Sequence, residues 1–237
     1  RLSSFDEIEY SEPKFIDYID FNPNDPRYNS CWHLNKIQAS LAWDIGTGNS
    51  SITVAIVDDA VQRTHPDLNN VIWNNLLEIP NNGIDDDNNG YIDDYNGWDV
   101  ADNDNNTNPP NTNLDHGTHV AGIAGAHTNN NIGVSSIGYG ISIIPVKATR
   151  DNNLNGTINN AYDGVYYAAL NNADIINCSW GGSYYSQTNN NIIQSAINNG
   201  SIIVASAGNS NVNLGSSPRY PSCYNGVICV ANTTQSD

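Results

Sequence analysis

Three short segments carry side chains able to act in concert. The run Val54-Ala55-Ile56-Val57 ends in Asp58-Asp59. A carboxylate just past the carboxyl end of a buried strand is well placed for a site, although such an aspartate also serves to cap the next element. The string Asp115-His116-Gly117-Thr118-His119-Val120-Ala121-Gly122 sets a histidine at the start of a helix of small residues. Gly117, Ala121 and Gly122 are expected to let that helix pass close to other backbone, and His116 is read as catalytic. The segment Val204-Ala205-Ser206-Ala207-Gly208-Asn209 runs a strand into a tight turn that presents an amide. An Asn amide can donate to a developing oxyanion, which stabilises a transition state by roughly 3 kcal/mol; alone, Ala-Gly-Asn is simply a turn.

A fourth segment has the spacing of a metal loop. In 85–94, oxygen-bearing side chains fall at Asp85, Asp87 and Asn89. Gly90 follows, then Tyr91, Ile92, Asp93 and Asp94. This is the first part of an EF-hand-like loop, with calcium as the expected ion. Asn96 stands where a terminal bidentate Glu is usual, and Asp93, Asp94 and Asp99 are the candidates for a closing carboxylate. The plainer reading is a solvated acidic loop.

The elements that must hold these groups can be read from the apolar pattern. Strands are expected at 52–57, 141–148, 174–179, 201–205 and 227–231, and helices at 116–126, 158–170 and 192–198. Alternation of this kind implies an α/β fold with a parallel β-sheet flanked by helices on both faces. Ligands of such sheets bind beyond the carboxyl ends of the strands.

Composition narrows the partners. The chain has 237 residues, 38% of them hydrophobic, which suits one sizeable domain. Twenty-five acidic residues against eight basic ones leave a net charge of −17, which argues against nucleic acid and anionic membrane as partners. No apolar run is long enough to span a bilayer. The N-terminus Arg1-Leu2-Ser3-Ser4 has neither the basic nor the apolar region of a signal peptide, so in a secreted protein that segment has been removed or left out. Four cysteines are too few for a disulfide scaffold. Cys223 and Cys229 are close enough in sequence to pair, Cys178 suits a buried strand, and Cys31 has no evident partner.

Together the three catalytic-type segments resemble the subtilase family of subtilisin- and kexin-like serine peptidases, from about Asn24 onward. Val54 to Asp59, followed by His65-Pro66-Asp67-Leu68, is similar to the family's catalytic-aspartate motif. The resemblance implies that Asp58 orients His116, that His116 takes the proton from a serine, and that Asn209 holds the oxyanion. It places a peptide substrate as an added strand between Ser179-Trp180-Gly181 and the opposing edge Asn153-Leu154-Asn155-Gly156. It also implies a second calcium site, with Asp67 as carboxylate ligand. Asn130 would give a side-chain oxygen, and Thr128, Ile132 and Val134 would give carbonyls. Secretion is the expected localisation.

Several departures bear on function. Ala60 stands where a glycine is usual. Asp59 resembles a residue of the kexin branch, but Gly182-Ser183-Tyr184-Tyr185 lacks that branch's acidic residue, so cleavage after basic residues is not supported. The residue before Tyr220-Pro221, which the resemblance puts at the base of the pocket preceding the cut, is Arg219. Its guanidinium either points into the pocket and favours an acidic side chain, or turns outward to solvent. Asp59 would welcome a basic residue in the neighbouring subsite.

No Gly-Thr-Ser, the family's nucleophile motif, occurs in the sequence. The expectation is an incomplete peptidase domain over 21–237, with the serine outside this chain and this polypeptide alone inactive. A catalytically inactive, peptide-binding module of the same fold is the alternative. Residues 8–15 resemble the last strand of a propeptide, and Asn24-Asp25-Pro26 with Trp32-His33-Leu34 the start of a mature enzyme. Residues 1–20 are then a propeptide tail or an N-terminal extension. Expected partners are a peptide or protein substrate, the chain's own propeptide and the missing C-terminal segment.

Overall fold

The apolar runs of the sequence become a six-stranded parallel sheet in the computed structural model, which describes residues 11–14, 22–153 and 155–236. In chain order the strands are β1 (Thr53–Asp58), β2 (Trp98–Asp99), β3 (Ser142–Lys147), β4 (Ile175–Cys178), β5 (Ile202–Ser206) and β6 (Ile228–Val230). The helices are α1 (Trp32–Lys36), α2 (Ala39–Trp43), α3 (His116–Gly125), α4 (Ala161–Leu170) and α5 (Gln187–Asn198). Spatial order is β2-β3-β1-β4-β5-β6. The chain therefore leaves β1 in one direction to build β2 and β3, then returns to its other side for β4. A crevice opens at such a reversal, at the carboxyl ends of the central strands.

Side-chain alternation along β1 separates two cores. Ala55 and Val57 join Ile144, Val146, Ile176 and Ile203 beneath α4 and α5, where Val165, Ala168, Ile193 and Ala196 close the layer. Val54 and Ile56 face the other way, with Ile143, Leu68, Val71, Ile72 and Ala121 of α3. This two-sided burial explains why β1 and β3 read as unbroken apolar runs. The fold class is as expected.

Boundaries moved where local chemistry outweighed hydrophobicity. Helix α5 starts at Gln187, ahead of its first apolar residue, because Ser186 caps it by accepting from the Asn189 amide. Strand β2 is two residues long, too short for any periodic signal. Strand β6 lies at the sheet edge with Ile228 and Val230 about half exposed. Cys178 is buried as expected, and Cys223 and Cys229 are exposed free thiols. Among the described residues, no helix is long and apolar enough to cross a membrane. Residues 8–10 and 15, parts of the proposed propeptide strand, and the expected boundary at 20/21 lie outside the described residues.

Glycines set how closely the helices approach β1. A Cβ on Gly117 would strike the Ala60 carbonyl and come within 2.8 Å of the Asp58 Cβ. From the opposite layer, a Cβ on Gly164 would lie 2.6 Å from Val57 Cγ1. Gly122 does not share this role: nothing lies within 4 Å of where its Cβ would be. Gly117→Ala is therefore expected to cost about 1–3 kcal/mol by overpacking. Gly122→Ala should be neutral, or stabilising by up to about 1 kcal/mol through helix propensity. Urea unfolding of the two variants beside the parent checks this; equal destabilisation by both would contradict it.

Candidate active site and cation sites

Asp58 closes β1 fully buried, and His116 opens α3 directly across from it. The Nδ1 of His116 lies 2.7 Å from Asp58 Oδ1. The Asp59 amide donates to the same oxygen at 2.8 Å, while Asp58 Oδ2 is buried without a partner. Burial pushes the Asp58 carboxyl above its ordinary value, against the pull of His116 and the Asp59 amide. The bond to Asp58 raises His116, outweighing its own partial desolvation. The imidazole is 57% exposed. A carboxylate on Nδ1 fixes the tautomer and leaves Nε2 as the proton acceptor toward solvent.

Asp59 has a structural task. Its carboxylate accepts from the amides of Gly117 at 2.7 Å, His116 at 3.2 Å and Ala60 at 2.6 Å. It thus caps α3 from the end of β1, where the helix dipole favours negative charge. Asp59 is buried, yet it also lies among the residues lining the cleft beside Asp58 and His116.

A cleft of roughly 750 Å³ opens beside the pair, lined on one side by Gly156, Thr157 and Ile158 and on the other by Ser179, Trp180 and Gly181. The Trp180 indole donates to the Val57 carbonyl at 2.8 Å and meets Tyr162 edge-on at 5.3 Å, locking that wall to β1 and α4. Of the opposing edge, Gly156 lines the cleft. Asn153 turns inward, its amide donating to Thr157 O and Oγ1 at 2.9 and 2.8 Å, and its Oδ1 accepts from the Asn155 amide. Leu154 lies outside the described residues. Asn209 follows Gly208 in the turn after β5, exposed to solvent. Of the two orientations open to Arg219, the inward one is observed: Nη2 donates to Gly181 O at 2.6 Å. Asn113, Tyr162, Tyr184 and Asn189 also line the cleft. No local motif pointed to them, because helix starts and loops bring them there.

The acidic loop folds around itself. Asp85 accepts from Asn89 N and Gly90 N at 3.0 and 2.9 Å, and Asn89 Oδ1 accepts from Tyr91 N at 2.8 Å. The Tyr91 ring packs against Tyr167 at 4.8 Å. The carboxylate that joins Asp85 and Asp87 is Glu78, with oxygens of all three within 4.8 Å of one another. Glu78 Oε1 accepts from Asp86 N at 2.8 Å, while Oε2 is buried without a partner. Each of the three carboxylates considered for closing the loop has partners within the chain. Asp93 is spent on the amides of Asn82 and Gly83, both at 2.9 Å. Asp94 binds Asn75, Asn89 and Tyr167. Asp99 binds Lys147. An orphaned buried carboxylate oxygen amid an all-oxygen donor set fits a hard cation such as calcium.

Around Asp67, Oδ1 accepts from the Asn130 amide and Oδ2 from Val134 N, both at 2.9 Å. Asn130 Oδ1 accepts from Ile132 N at 2.7 Å, and the Thr128 hydroxyl donates to Ala126 O at 3.1 Å. Asp25 also reaches this loop, accepting from Asn129 N, Asn130 N and the Ser135 hydroxyl. It stands in the Asn24-Asp25-Pro26 string but carried no metal signal there. A third acidic group, Asp99, Asp102 and Asp151, already has its cation in the ammonium of the buried Lys147.

A doubly covered parallel sheet with an aspartate–histidine pair at the switch point, beside a cleft lined by the segments that precede α4 and follow β4, is the subtilisin-like class of α/β protein. The sequence model of the Subtilase family matches residues 49–237. The chain belongs to that family. Thermitase from Thermoactinomyces vulgaris is 38% identical over 92% of this chain and 67% of its own length. An extracellular basic protease from Dichelobacter nodosus is 31% identical over 98% of this chain and 41% of its own. A solved protease of Pseudoalteromonas arctica superposes with a TM-score of 0.69 at 30% identity, covering 90% of this chain and 66% of that one. The chain thus spans from about two fifths to about two thirds of the lengths of these relatives.

The raised His116 sets a pH expectation. Its imidazolium persists above the ordinary value of 6.5, so the neutral base is lost as pH falls through that raised value. Any stability contributed by the charged pair is present below the unfolded-state value and lost as pH rises through the folded one. NMR titration of His116 should give a midpoint above 6.5, and Asp58→Asn should lower it. A midpoint unchanged by Asp58→Asn would show that the pair is not coupled.

Proposed function

We propose that this chain forms most of a secreted serine endopeptidase domain that hydrolyses peptide bonds, with the nucleophilic serine supplied by sequence beyond these 237 residues. The observation that carries the reading is the 2.7 Å bond between His116 Nδ1 and buried Asp58 at the mouth of the cleft. In the reaction, Nε2 of His116 takes the serine proton as oxygen attacks the carbonyl. Asp58 holds the ring and stabilises the imidazolium. The Asn209 amide donates to the oxyanion, and His116 then protonates the leaving amine. The substrate lies extended between the 153–156 edge and Ser179-Trp180-Gly181, adding main-chain hydrogen bonds to both. Residues 1–20 act as a propeptide tail. The relative named an extracellular protease supports secretion.

Calcium in this reading is structural. Glu78, Asp85, Asp87 and Asn89, with the Tyr91 carbonyl, would hold one ion. Asp67 and Asn130, with carbonyls of Thr128, Ile132 and Val134, would hold the other. The ion supplies countercharge to loops that are otherwise self-repelling.

Labelling with a serine-directed fluorophosphonate tests the catalytic reading. The complete gene product should label and turn over an unfolded protein, while the polypeptide 1–237 alone should do neither. His116→Ala in the complete protein should cut kcat on the order of 10^4- to 10^6-fold. Stoichiometric labelling of 1–237, or full activity without His116, would overturn it. A complete protein that binds peptides without cleaving them would favour the inactive module.

Calcium removal provides the second test. At a hundred-fold excess over the dissociation constant, each ion should add roughly 3 kcal/mol. Thermal melts in calcium and in chelator should therefore separate. Glu78→Gln or Asp87→Ala should abolish one increment and Asp67→Ala the other. Superimposed melts would exclude both sites.

A further inference from the structure

Six asparagines in this chain are followed directly by glycine: Asn82, Asn89, Asn96, Asn155, Asn199 and Asn225. In such a pair the glycine nitrogen, uncrowded by a Cβ, can reach the carboxamide carbon of the asparagine before it and displace ammonia. The attack needs a glycine amide released from hydrogen bonding and a peptide unit able to turn toward the side chain. Four of the pairs are held against it. Gly83 N donates to Asp93 Oδ2 and Gly90 N to Asp85 Oδ2, both at 2.9 Å. Gly97 N donates to the Asp94 carbonyl at 3.2 Å and Gly200 N to the Ile197 carbonyl at 3.0 Å. In the first three pairs the carboxamide is tied down as well, Asn82 to Asp86, Asn89 to Asp87 and Asp94, and Asn96 to Asn74.

Asn155-Gly156 and Asn225-Gly226 differ. All four residues are exposed, and among the described residues neither glycine nitrogen and neither carboxamide has a hydrogen-bond partner. The 225–226 turn is nevertheless clamped. Val227 N donates to Tyr224 O at 3.3 Å, Gln194 Nε2 donates to Asn225 O at 2.8 Å, and a Cβ on Gly226 would lie 2.9 Å from Ile197 Cδ1. Gly156 has open space: a Cβ there would meet only the Asn113 carbonyl, at 3.9 Å. Asn153 anchors the flanks of this pair, accepting from Asn155 N at 2.9 Å and donating to Thr157 O at 2.9 Å. The peptide unit between those anchors carries neither bond, so the fold presents the reactive atoms without locking them.

We propose that Asn155 is a site of spontaneous deamidation at the cleft edge. The Gly156 nitrogen gives its proton to solvent base and attacks the Asn155 carboxamide carbon. The bond from that carbon to the amide nitrogen breaks, and ammonia leaves with a proton taken from water. The succinimide ring so formed adds one water at either carbonyl. Opening at the side-chain carbonyl gives aspartate. Opening at the main-chain carbonyl gives isoaspartate, whose backbone runs through Cβ and is one methylene longer. The net exchange is ammonia for water, with no oxidant or reductant. Gly156 lines the cleft, so the product adds a carboxylate to that edge and, as isoaspartate, lengthens it. The chemistry stands on the geometry alone; its consequence, weaker binding of an extended peptide, rests on the proposed function.

The test ages the complete protein, treated with fluorophosphonate against self-cleavage, in mildly alkaline buffer with and without denaturant. Peptide mapping by mass spectrometry and isoaspartate-specific enzymatic methylation follow each pair. In native buffer Asn155 should convert about ten-fold or more faster than the four hydrogen-bonded pairs, which must open locally before they react. In denaturant the six rates should draw together, because the fold alone separates them. Asn155→Gln should remove the native signal, since the longer side chain closes its ring far more slowly. Conversion led by any other pair, or a native Asn155 that reacts no faster than Asn82, Asn89, Asn96 and Asn199, overturns the proposal. Binding of an extended peptide, compared before and after ageing within each variant, should weaken in the parent and hold level in Asn155→Gln. Equal loss in both would overturn the link between this site and the cleft. A complete protein that neither binds nor cuts peptides would sink the endopeptidase reading, and the mass-spectrometric rates would still decide the chemistry at Asn155.

Discussion

The bond between Asp58 and His116 constrains most of the surrounding fold. It requires the end of a central strand and the start of a helix 58 residues away to meet within hydrogen-bond reach. Two features make that meeting possible. Gly117, one residue into α3, lets the helix press on the turn after β1, where any side chain would collide with Ala60. Asp59 then satisfies the first amides of α3. Neighbouring aspartates at one strand end thus divide the work: Asp58 positions the imidazole and Asp59 positions the helix that carries it. Buried together, they are tolerable because each faces donors and the helix dipole offsets the charge.

The same strand end is held from behind. Lys147 pairs in register with Asp58 across β1 and β3, and its ammonium is buried among Asp99, Asp102 and Asp151. Asp151 also opens the segment that carries the cleft edge, and its amide donates to Asp102. A buried ion cluster is costly to desolvate, and its value lies in fixing geometry more than in net stability. Here it ties β2, β3 and the 151–157 edge to one point.

What could be read from the sequence was whatever sits within one strand or one helix turn of its own signal. The runs of β1 and β3 and the His116 string were legible because burial on both faces and small-residue spacing leave local patterns. Glu78 was not legible as a partner of Asp85 and Asp87, since it precedes the loop and joins it only through the fold. Asp25 was quoted as part of a motif, yet its approach to the 129–135 loop spans more than a hundred residues. Gly122 looked like Gly117 by type and spacing, and differs only because it faces away from the sheet. The three amide partners of Asp59 were not legible, because two of them belong to a helix that starts 57 residues further on.

The three acidic groups of the chain illustrate how one composition yields different sites. Asp99, Asp102 and Asp151 gather around an ammonium the chain provides, so their countercharge is covalent and permanent. Among the described residues, Glu78, Asp85 and Asp87 gather with no ion-pair partner, and a buried Glu78 oxygen has no donor. Asp25 and Asp67 are met by backbone amides and one carboxamide, neutral donors that soften the charge without cancelling it. With 25 acidic residues against eight basic ones, these 237 residues do not hold enough basic side chains to pair every acidic one. The scarcity gives each basic residue positional meaning. Lys147 is placed where a permanent cation must hold the sheet end, and Arg219 where a guanidinium faces the cleft. The carboxylates of Glu78, Asp85 and Asp87 have no such basic partner among the described residues, and their charge is met by backbone amides instead.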